Sequence, residues 1–190
     1  MFEKIRDDYA IHGRRLTNPA LWAMVVYRFG QWVDNIRFRP ARWGLGKVYG
    51  LLMVFSPLVT GVHIDRRLKV GKGFHIIHFG GIHIHPRATI GSRCGVMHNV
   101  TIGTNMGEDV PVIGDDVFIG AGATILGRVT IGAGARIASN SLVINDVPPR
   151  AVAMGVPAKI YPNIAGLRMA KLKGSAGSKQ TTDTKNLGES

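Results

Sequence analysis

The sequence is poor in cysteine and in acidic residues. Its single cysteine, Cys94, excludes an internal disulfide and fits a reducing compartment, so we expect a cytoplasmic protein. Twelve acidic residues stand against 24 lysines and arginines, which leaves a formal net charge of +12. A basic surface attracts phosphate-bearing cofactors, nucleic acids or lipid headgroups, although most such charge is simply solvated. Nothing beyond net charge favours a nucleic-acid partner, and we expect none.

Long apolar runs are lacking as well. The most apolar stretch, residues 48–64, follows Lys47, contains Pro57 and is shorter than the ~20 residues of a membrane-spanning helix. We therefore expect a buried helix there, with peripheral contact to a membrane surface as the alternative. The N-terminal stretch is charged and lacks the apolar core of a signal peptide, so we expect it to remain in the mature protein.

The strongest pattern in the sequence is a period of six residues. Aliphatic residues recur at this spacing from position 113 onward, namely Ile113, Ile119, Ile125, Ile131, Ile137 and Val143. Upstream the register continues through Ile102, Val96 and Ile90 and, after one eight-residue step, through Ile82, Ile76, Val70 and Ile64. A helix has a period of about 3.6 residues and a strand a period of about 2, so neither explains this spacing.

A hexapeptide repeat predicts short strands joined by tight corners, three to a coil, with the coils stacked into a parallel β-helix. The segment 103–112 carries five residues more than the repeat allows, which predicts a projecting loop. Residues 18–33 instead show a helical pattern that begins with Asn18 and Pro19. We expect a helical segment over 1–62, a β-helix over 63–160 and a largely disordered C-terminal extension over 161–190.

The same register predicts a column of side chains along one corner of the β-helix. The anchors that should stack on one side of the coil are Ile76, Val96, Ile119 and Ile137. The residues two positions after them are His78, His98, Ala121 and Ser139. Two histidines followed by small residues describe a groove with a reactive head and a narrow floor, along which an extended ligand can lie.

These features resemble the hexapeptide-repeat acyltransferases of the serine acetyltransferase-like group, including its short exopolysaccharide-type members. The similarity covers about residues 64–160. It includes the eight-residue step, HFGG at 78–81, PVIGDDVFIGAGATILG at 111–127 and the closing DVPPRAVAMGVPAKI at 146–160. The resemblance implies a left-handed parallel β-helix, acetyl-CoA as co-substrate, and a homotrimer with CoA sites between neighbouring solenoids.

The resemblance also implies roles for individual residues. In this group the histidine at the position of His78 is the general base that takes a proton from an acceptor hydroxyl. Imidazole suits that role because its unperturbed pKa lies near neutral pH. The positions implied to bind the CoA arm and its phosphates are Gly103, Ala121, Ser139 and Lys159. The group's Asp that orients the base aligns here with His63, so Asp65 is a candidate replacement and His98 a second supporting residue.

The departures from the group concern the acceptor. Serine acetyltransferases usually carry an Asp just before the base and an Arg-His pair in the loop, where this chain has Ile77 and Asp109-Val110. A zwitterionic amino acid needs a cation for its carboxylate, whereas a neutral sugar does not. We therefore expect a sugar hydroxyl in polysaccharide biosynthesis as acceptor. L-serine is the alternative, with positive charge supplied across a subunit boundary by Arg66, Arg67 or Arg87.

Two further alternatives are a zinc hydratase and a non-catalytic hexapeptide scaffold. The γ-type carbonic anhydrases share the β-helix, but zinc binding needs histidines that converge. The register places His83 and His85 on a different side of the coil from His78, so we expect no metal. Together with His75, those two histidines are expected to lie at the surface or to support loops. The presence of His78 argues against a scaffold.

Overall fold

The computed structural model describes residues 2–161, which contain three helices followed by fifteen short strands. The helices are α1 (Phe2–Ile11), α2 (Pro19–Asp34) and α3 (Arg39–Thr60). The strands are β1 (Val62–Ile64), β2 (Lys69–Val70), β3 (His75–Ile76), β4 (Ile82–Ile84), β5 (Thr89–Ile90), β6 (Gly95–Val96), β7 (Thr101–Gly103), β8 (Val112–Ile113), β9 (Phe118–Ile119), β10 (Thr124–Leu126), β11 (Thr130–Ile131), β12 (Arg136–Ile137), β13 (Leu142–Val143), β14 (Val152–Met154) and β15 (Lys159–Tyr161). Apart from Tyr161, the predicted C-terminal extension lies outside the described residues.

The strands of residues 62–161 form three sheets, one for each side of a triangular solenoid. The first sheet contains β1, β4, β7, β10 and β13, and the second contains β2, β5, β8 and β11. The third contains β3, β6, β9, β12 and β14 in parallel, with β15 added antiparallel at its end. From β1 to β14 successive strands belong to different sheets, and each of the first four coils contributes one strand to each side. The fifth coil joins the second side through a single bridge between Ile131 and Val147. The predicted parallel β-helix with N-terminal helices is confirmed, with about five turns.

The six-residue period produces this fold because each aliphatic anchor points into the solenoid. The anchors that are less than 2% exposed include Ile76, Ile82, Ile102, Ile113, Ile119, Ile125, Ile131 and Ile137. Burial of one such side chain stabilises the fold by about 1.5–3 kcal/mol. Between the anchors, backbone N–H groups of one coil donate to carbonyls of the next, as from Gly114 to Ile131 at 2.8 Å.

The helical segment packs against the first coil. The buried Tyr27 hydroxyl of α2 donates to the carbonyl oxygen of Leu68 at 2.8 Å. Helix α3 is capped at its C-terminus by Gly61, which adopts a left-handed conformation with φ of 62°. A Cβ at this position would lie 2.8 Å from the Cα of Gly80, so both the conformation and the close approach require glycine.

Helix α3 corrects one expectation. The apolar stretch 48–64 was expected to be buried, but within α3 only Tyr49 and Thr60 are buried. The prediction was wrong because an apolar composition is common to core helices and to helices with an exposed apolar face. Within the described residues, α3 is the one helix long and apolar enough, by length and composition alone, to cross a membrane.

Candidate active site

The predicted column of side chains is present along one corner of the solenoid. Strand pairing aligns Ile76 with Val96, which confirms the first step of the register. The next pairings align Val96 with Ile119 and Ile119 with Ile137. The residues two positions beyond these anchors therefore follow one another from coil to coil: His78, His98, Ala121 and Ser139.

The two histidines at the head of the column are in contact. The ring centroids of His78 and His98 lie 5.9 Å apart, and the planes meet edge to face at 68°. His78 is exposed and His98 is half-buried. An exposed imidazole can accept a proton from a hydroxyl that approaches from solvent, while the second ring restricts where the first can turn.

Below the histidines the floor of the groove is narrow. Ala121 is half-buried and Ser139 is exposed. The coils pack so closely here that a Cβ at Gly120 would lie 2.6 Å from the backbone nitrogen of Ser139. At about 4.8 Å per coil, the three steps from His78 to Ser139 extend over about 14 Å. An extended chain of that length can lie along the floor without meeting a bulky side chain.

The remaining predicted CoA-binding residues lie in two different places. Lys159 is exposed on β15, opposite Met154 of β14, at the end of the sheet from which the column residues emerge. Its ammonium group can therefore approach an anion at the far end of the groove. Gly103 ends a strand of the first sheet, opposite Leu126, where the loop 104–111 begins. Within one chain, Gly103 thus belongs to a different corner from His78.

Asp65 also lies at another corner. It follows β1, and its carboxylate accepts hydrogen bonds from the Arg67 guanidinium at 3.0 and 3.2 Å. Partial burial would raise the pKa of the Asp65 carboxyl, but the hydrogen bonds from Arg67 outweigh burial and lower it. In the described part of the chain no hydrogen bond joins Asp65 to His78. The structure therefore does not bring this candidate orienting carboxylate to His78, the predicted base, within one chain.

The other histidines of the repeat are spread over the surface. His63 and His83 are exposed and sit opposite each other on β1 and β4. His85 accepts a hydrogen bond from the backbone N–H of Arg87 through Nδ1 at 3.2 Å, so it supports a turn. Residues 2–161 contain no group of three or more His, Cys, Asp or Glu side chains arranged to hold a metal ion.

A buried histidine in the turn directly after α1 was missed in the sequence. The Nε2 atom of His12 accepts a hydrogen bond from the backbone N–H of Ile76 at 3.2 Å, two residues before His78. Its Nδ1 atom donates to the carbonyl oxygen of Asp8 at 2.7 Å. The Asp8 carboxylate in turn pairs with Arg28 at 2.9 Å, and both side chains are buried. This network joins α1 and α2 to the strand that carries the column.

The network constrains the protonation of two histidines. Burial lowers the pKa of the His12 imidazole, against the opposing effect of Asp8. The half-buried ring of His75 packs edge to face on His12 at 5.2 Å. Burial, with a smaller contribution from the charge of His12, also lowers the pKa of His75. The four-residue spacing of Asp8 and His12 predicts a shared helix face, but nothing in the sequence shows which strand that face meets.

Known proteins of similar sequence share the repeat. Residues 111–145 match the family described as bacterial transferase hexapeptide (six repeats). The serine acetyltransferase of Helicobacter pylori is 31% identical over 147 residues, which cover 76% of this chain and 82% of that protein. The chain spans 30–63% of the length of five further curated serine acetyltransferases, with identities of 32–48%.

Solved structures share the fold. A serine acetyltransferase in complex with CoA aligns with a TM-score of 0.70 and 28% identity, covering 83% of this chain and 68% of that chain. Soybean serine acetyltransferase complexed with serine aligns with a TM-score of 0.69 and 32% identity, again covering 83% and 68%.

Proposed function

This chain belongs to the serine acetyltransferase family of hexapeptide-repeat transferases, and on that premise we propose that it is an acetyl-CoA-dependent O-acetyltransferase with His78 as general base. The observation that carries the proposal is the column itself. An exposed imidazole stands at the head of a groove floored by small residues, and Lys159 lies at its far end. These residues fit acetyl-CoA, whose thioester belongs beside the histidine and whose phosphates belong beside the lysine.

In the proposed reaction His78 takes the proton of the acceptor hydroxyl as its oxygen attacks the thioester carbonyl. A C–O bond forms, and the carbonyl oxygen carries the negative charge of the tetrahedral intermediate. When the intermediate collapses, the C–S bond breaks and the imidazolium returns the proton to the departing thiolate. The products are the acetyl ester and CoA with a free thiol, so protons and electrons balance.

For the acceptor we propose L-serine. The relatives that match this chain are named serine acetyltransferases, and one aligned structure was solved with serine. These relatives favour L-serine over the sugar expected from the sequence. The cation for the serine carboxylate would come from a neighbouring subunit, as considered for Arg66, Arg67 and Arg87.

A neutral sugar hydroxyl is the second candidate acceptor, and a specific observation favours it. Each of the three arginines considered as a serine clamp already pairs with an acid of its own chain. Arg66 meets Asp34 at 3.2 Å, Arg67 meets Asp65 at 3.0 Å and Arg87 meets Glu108 at 3.3 Å. Exposed pairs contribute only about 0–1 kcal/mol, so a substrate carboxylate can compete for these cations, whereas a sugar needs no such exchange.

We further propose a homotrimer in the cytoplasm. In one chain Gly103, Asp65 and the loop 104–111 lie at a different corner from His78. If neighbouring solenoids pack corner to corner, Gly103, Asp65 and the loop 104–111 of one subunit would lie beside His78 of the next. The site would then be completed between two subunits. The cytoplasmic location is supported by the supply of acetyl-CoA that the reaction needs and by the lone buried Cys94.

The test of the function is thiol release from acetyl-CoA with one acceptor at a time. L-serine, ethanolamine (which lacks the carboxylate) and a panel of sugars and nucleotide sugars form the arms. Turnover of about 1–10³ per second with L-serine, and a much lower kcat/KM with ethanolamine, is the expected result. Turnover with sugars alone would show that the acceptor is a sugar and not L-serine. If no acceptor supports turnover, the proposed transferase activity would be refuted, and a non-catalytic scaffold would be the remaining interpretation.

The alternative function as a zinc hydratase can be tested separately. Such an enzyme would contain stoichiometric zinc and would lose its activity on chelation. Metal analysis of the purified protein, followed by the thiol-release assay in the presence of a chelator, tests this alternative. We expect acetyl transfer to survive chelation.

A further inference from the structure

Helix α3 carries an exposed apolar surface. Eight of its aliphatic and aromatic side chains are 38–77% exposed. Besides Trp43 and Val54, they are Val48, Leu51, Leu52, Phe55, Leu58 and Val59. The last six lie 0, 3, 4, 7, 10 and 11 residues from Val48, a spacing that places them on one side of an α-helix. We call these six residues the exposed stripe. Contiguous apolar surface of this kind marks a site of contact with a protein or a membrane.

The opposite side of α3 is held against the protein. The buried Tyr49 ring packs on Gly30 of α2 so closely that a Cβ at Gly30 would overlap it. The Tyr49 hydroxyl accepts a hydrogen bond from the backbone N–H of Arg66 at 3.1 Å, and the Arg66 guanidinium stacks over the ring at 4.7 Å. Because this side of α3 packs against α2 and the first coil, the helix can present the exposed stripe to a membrane surface but cannot cross a bilayer as an isolated helix.

The charged residues near the exposed stripe indicate which kind of partner surface it can bind. Residues 35–64 contain no aspartate or glutamate, and the cations in this range are Arg37, Arg39, Arg42 and Lys47. The Trp43 side chain is 72% exposed, and the Lys47 ammonium lies 5.8 Å from its ring centroid. Leucine and aromatic side chains on one face with Lys and Arg nearby are typical of helices that lie in the plane of a membrane interface. A second copy of α3 aligned in parallel would instead meet like charges.

We propose that α3 is a membrane-docking helix that lies in the plane of a bilayer containing anionic phospholipids. The exposed stripe enters the boundary between headgroups and acyl chains. Trp43 sits at headgroup level, and the cations from Arg37 to Lys47 contact lipid phosphates. This proposal is independent of the acceptor and of the catalytic residues, because it concerns a surface formed by α3 and the residues just before it.

The test is co-sedimentation of the full-length protein with sucrose-loaded vesicles. Vesicles of phosphatidylcholine and phosphatidylglycerol are compared with vesicles of phosphatidylcholine alone. We expect at least tenfold stronger binding to the anionic vesicles. We also expect binding to weaken when the ionic strength rises from about 0.1 M to about 1 M, because the Debye length falls from about 10 Å to about 3 Å.

Two variants and a control connect the binding to α3. L51Q/F55Q removes the centre of the exposed stripe and should reduce binding at least tenfold. R42Q/K47Q removes two cations and should reduce it by about fivefold for each cation. Ile144→Gln is the matched control, because Ile144 is an exposed aliphatic side chain on the solenoid, 41% exposed. It should bind like wild type, and an unchanged melting temperature in each variant shows that the fold is intact.

Three outcomes would overturn the proposal. Equal binding to both kinds of vesicle, or to neither, would remove the anionic bilayer as the partner. Undiminished binding by L51Q/F55Q would place the contact elsewhere on the basic protein. A fall in molecular mass of L51Q/F55Q in analytical ultracentrifugation, with no vesicle binding by wild type, would show that a second copy of the chain covers the exposed stripe.

Discussion

Replacement of the buried His12 by alanine should destabilise the protein by about 2–4 kcal/mol. Within residues 2–161, His12 supplies the only side-chain acceptor for the backbone N–H of Ile76, a residue 1% exposed, and the change removes it. A buried donor without a partner costs about 1–3 kcal/mol. The lost bond from Nδ1 adds about 0.5–1.5 kcal/mol, while the Asp8 carbonyl keeps the bond from the backbone N–H of residue 12.

Urea denaturation followed by circular dichroism measures this cost. The control is His83→Ala, which removes an exposed imidazole from β4 and should change stability by no more than about 0.5 kcal/mol. If His12→Ala proved as mild as His83→Ala, α1 would not be anchored to β3 as described. Because β3 leads directly to His78, kcat should also fall in the His12 variant at substrate saturation, while the His83 variant keeps it.

The same histidine predicts how stability depends on pH. Burial holds the pKa of His12 and of His75 below the ordinary value of 6.5. The unfolded chain therefore binds more protons than the folded one as pH falls through 6.5 toward the lowered values, and the free energy of unfolding decreases. The contribution of both residues is complete above that range. In His12→Ala the decrease between about pH 7 and pH 5 should be smaller, and an unchanged slope would contradict the assignment.

Three further predictions concern the groove, the C-terminus and the surface. Ala121→Trp should raise the KM for acetyl-CoA severalfold without changing the melting temperature, because the indole must project into the groove; a large loss of thermal stability would show that Ala121 faces the core instead. Deletion of residues 167–190 should leave folding and turnover with soluble acceptors intact, and lost activity would show that this segment completes the site. Arg93→Ala should leave the urea midpoint close to that of wild type, because the pair of Arg93 with Asp116 is exposed and such pairs are weak; a clearly lower midpoint would contradict this.

The sequence alone was sufficient to predict the solenoid and most of its register, because a period of six is a local property that repeats. One anchor was wrong: strand pairing aligns Ile84, and not Ile82, with Ile64 and Ile102, so the eight-residue step runs from Ile76 to Ile84. Both Ile82 and Ile84 are buried, so the pattern of apolar residues does not distinguish them. The column headed by His78 followed from counting two positions beyond each anchor. The strand pairings Ile76–Val96 and Val96–Ile119 agree with that count.

Contacts between the helices and the solenoid could not be predicted in the same way. His12 and Ile76 are 64 residues apart and belong to segments with different periods, so no pattern connects them. The exposure of α3 was hidden for a different reason. A stripe such as Leu51 and Phe55 looks the same in sequence whether another element covers it or solvent does. Asp65 was judged by its distance along the chain from His63, whereas the structure shows it at another corner, bound to Arg67.

The most direct test of the account is a comparison of His78→Ala with His98→Ala in thiol release from acetyl-CoA, with L-serine as acceptor. A general base contributes about 10²–10⁴ in rate, so His78→Ala should lose that much in kcat. Its dissociation constant for CoA should stay close to that of wild type, because the groove floor is untouched. His98→Ala should lose less, since its ring only contacts the base. Near wild-type turnover in His78→Ala, or a greater loss in His98→Ala, would contradict the assignment of His78 as the base.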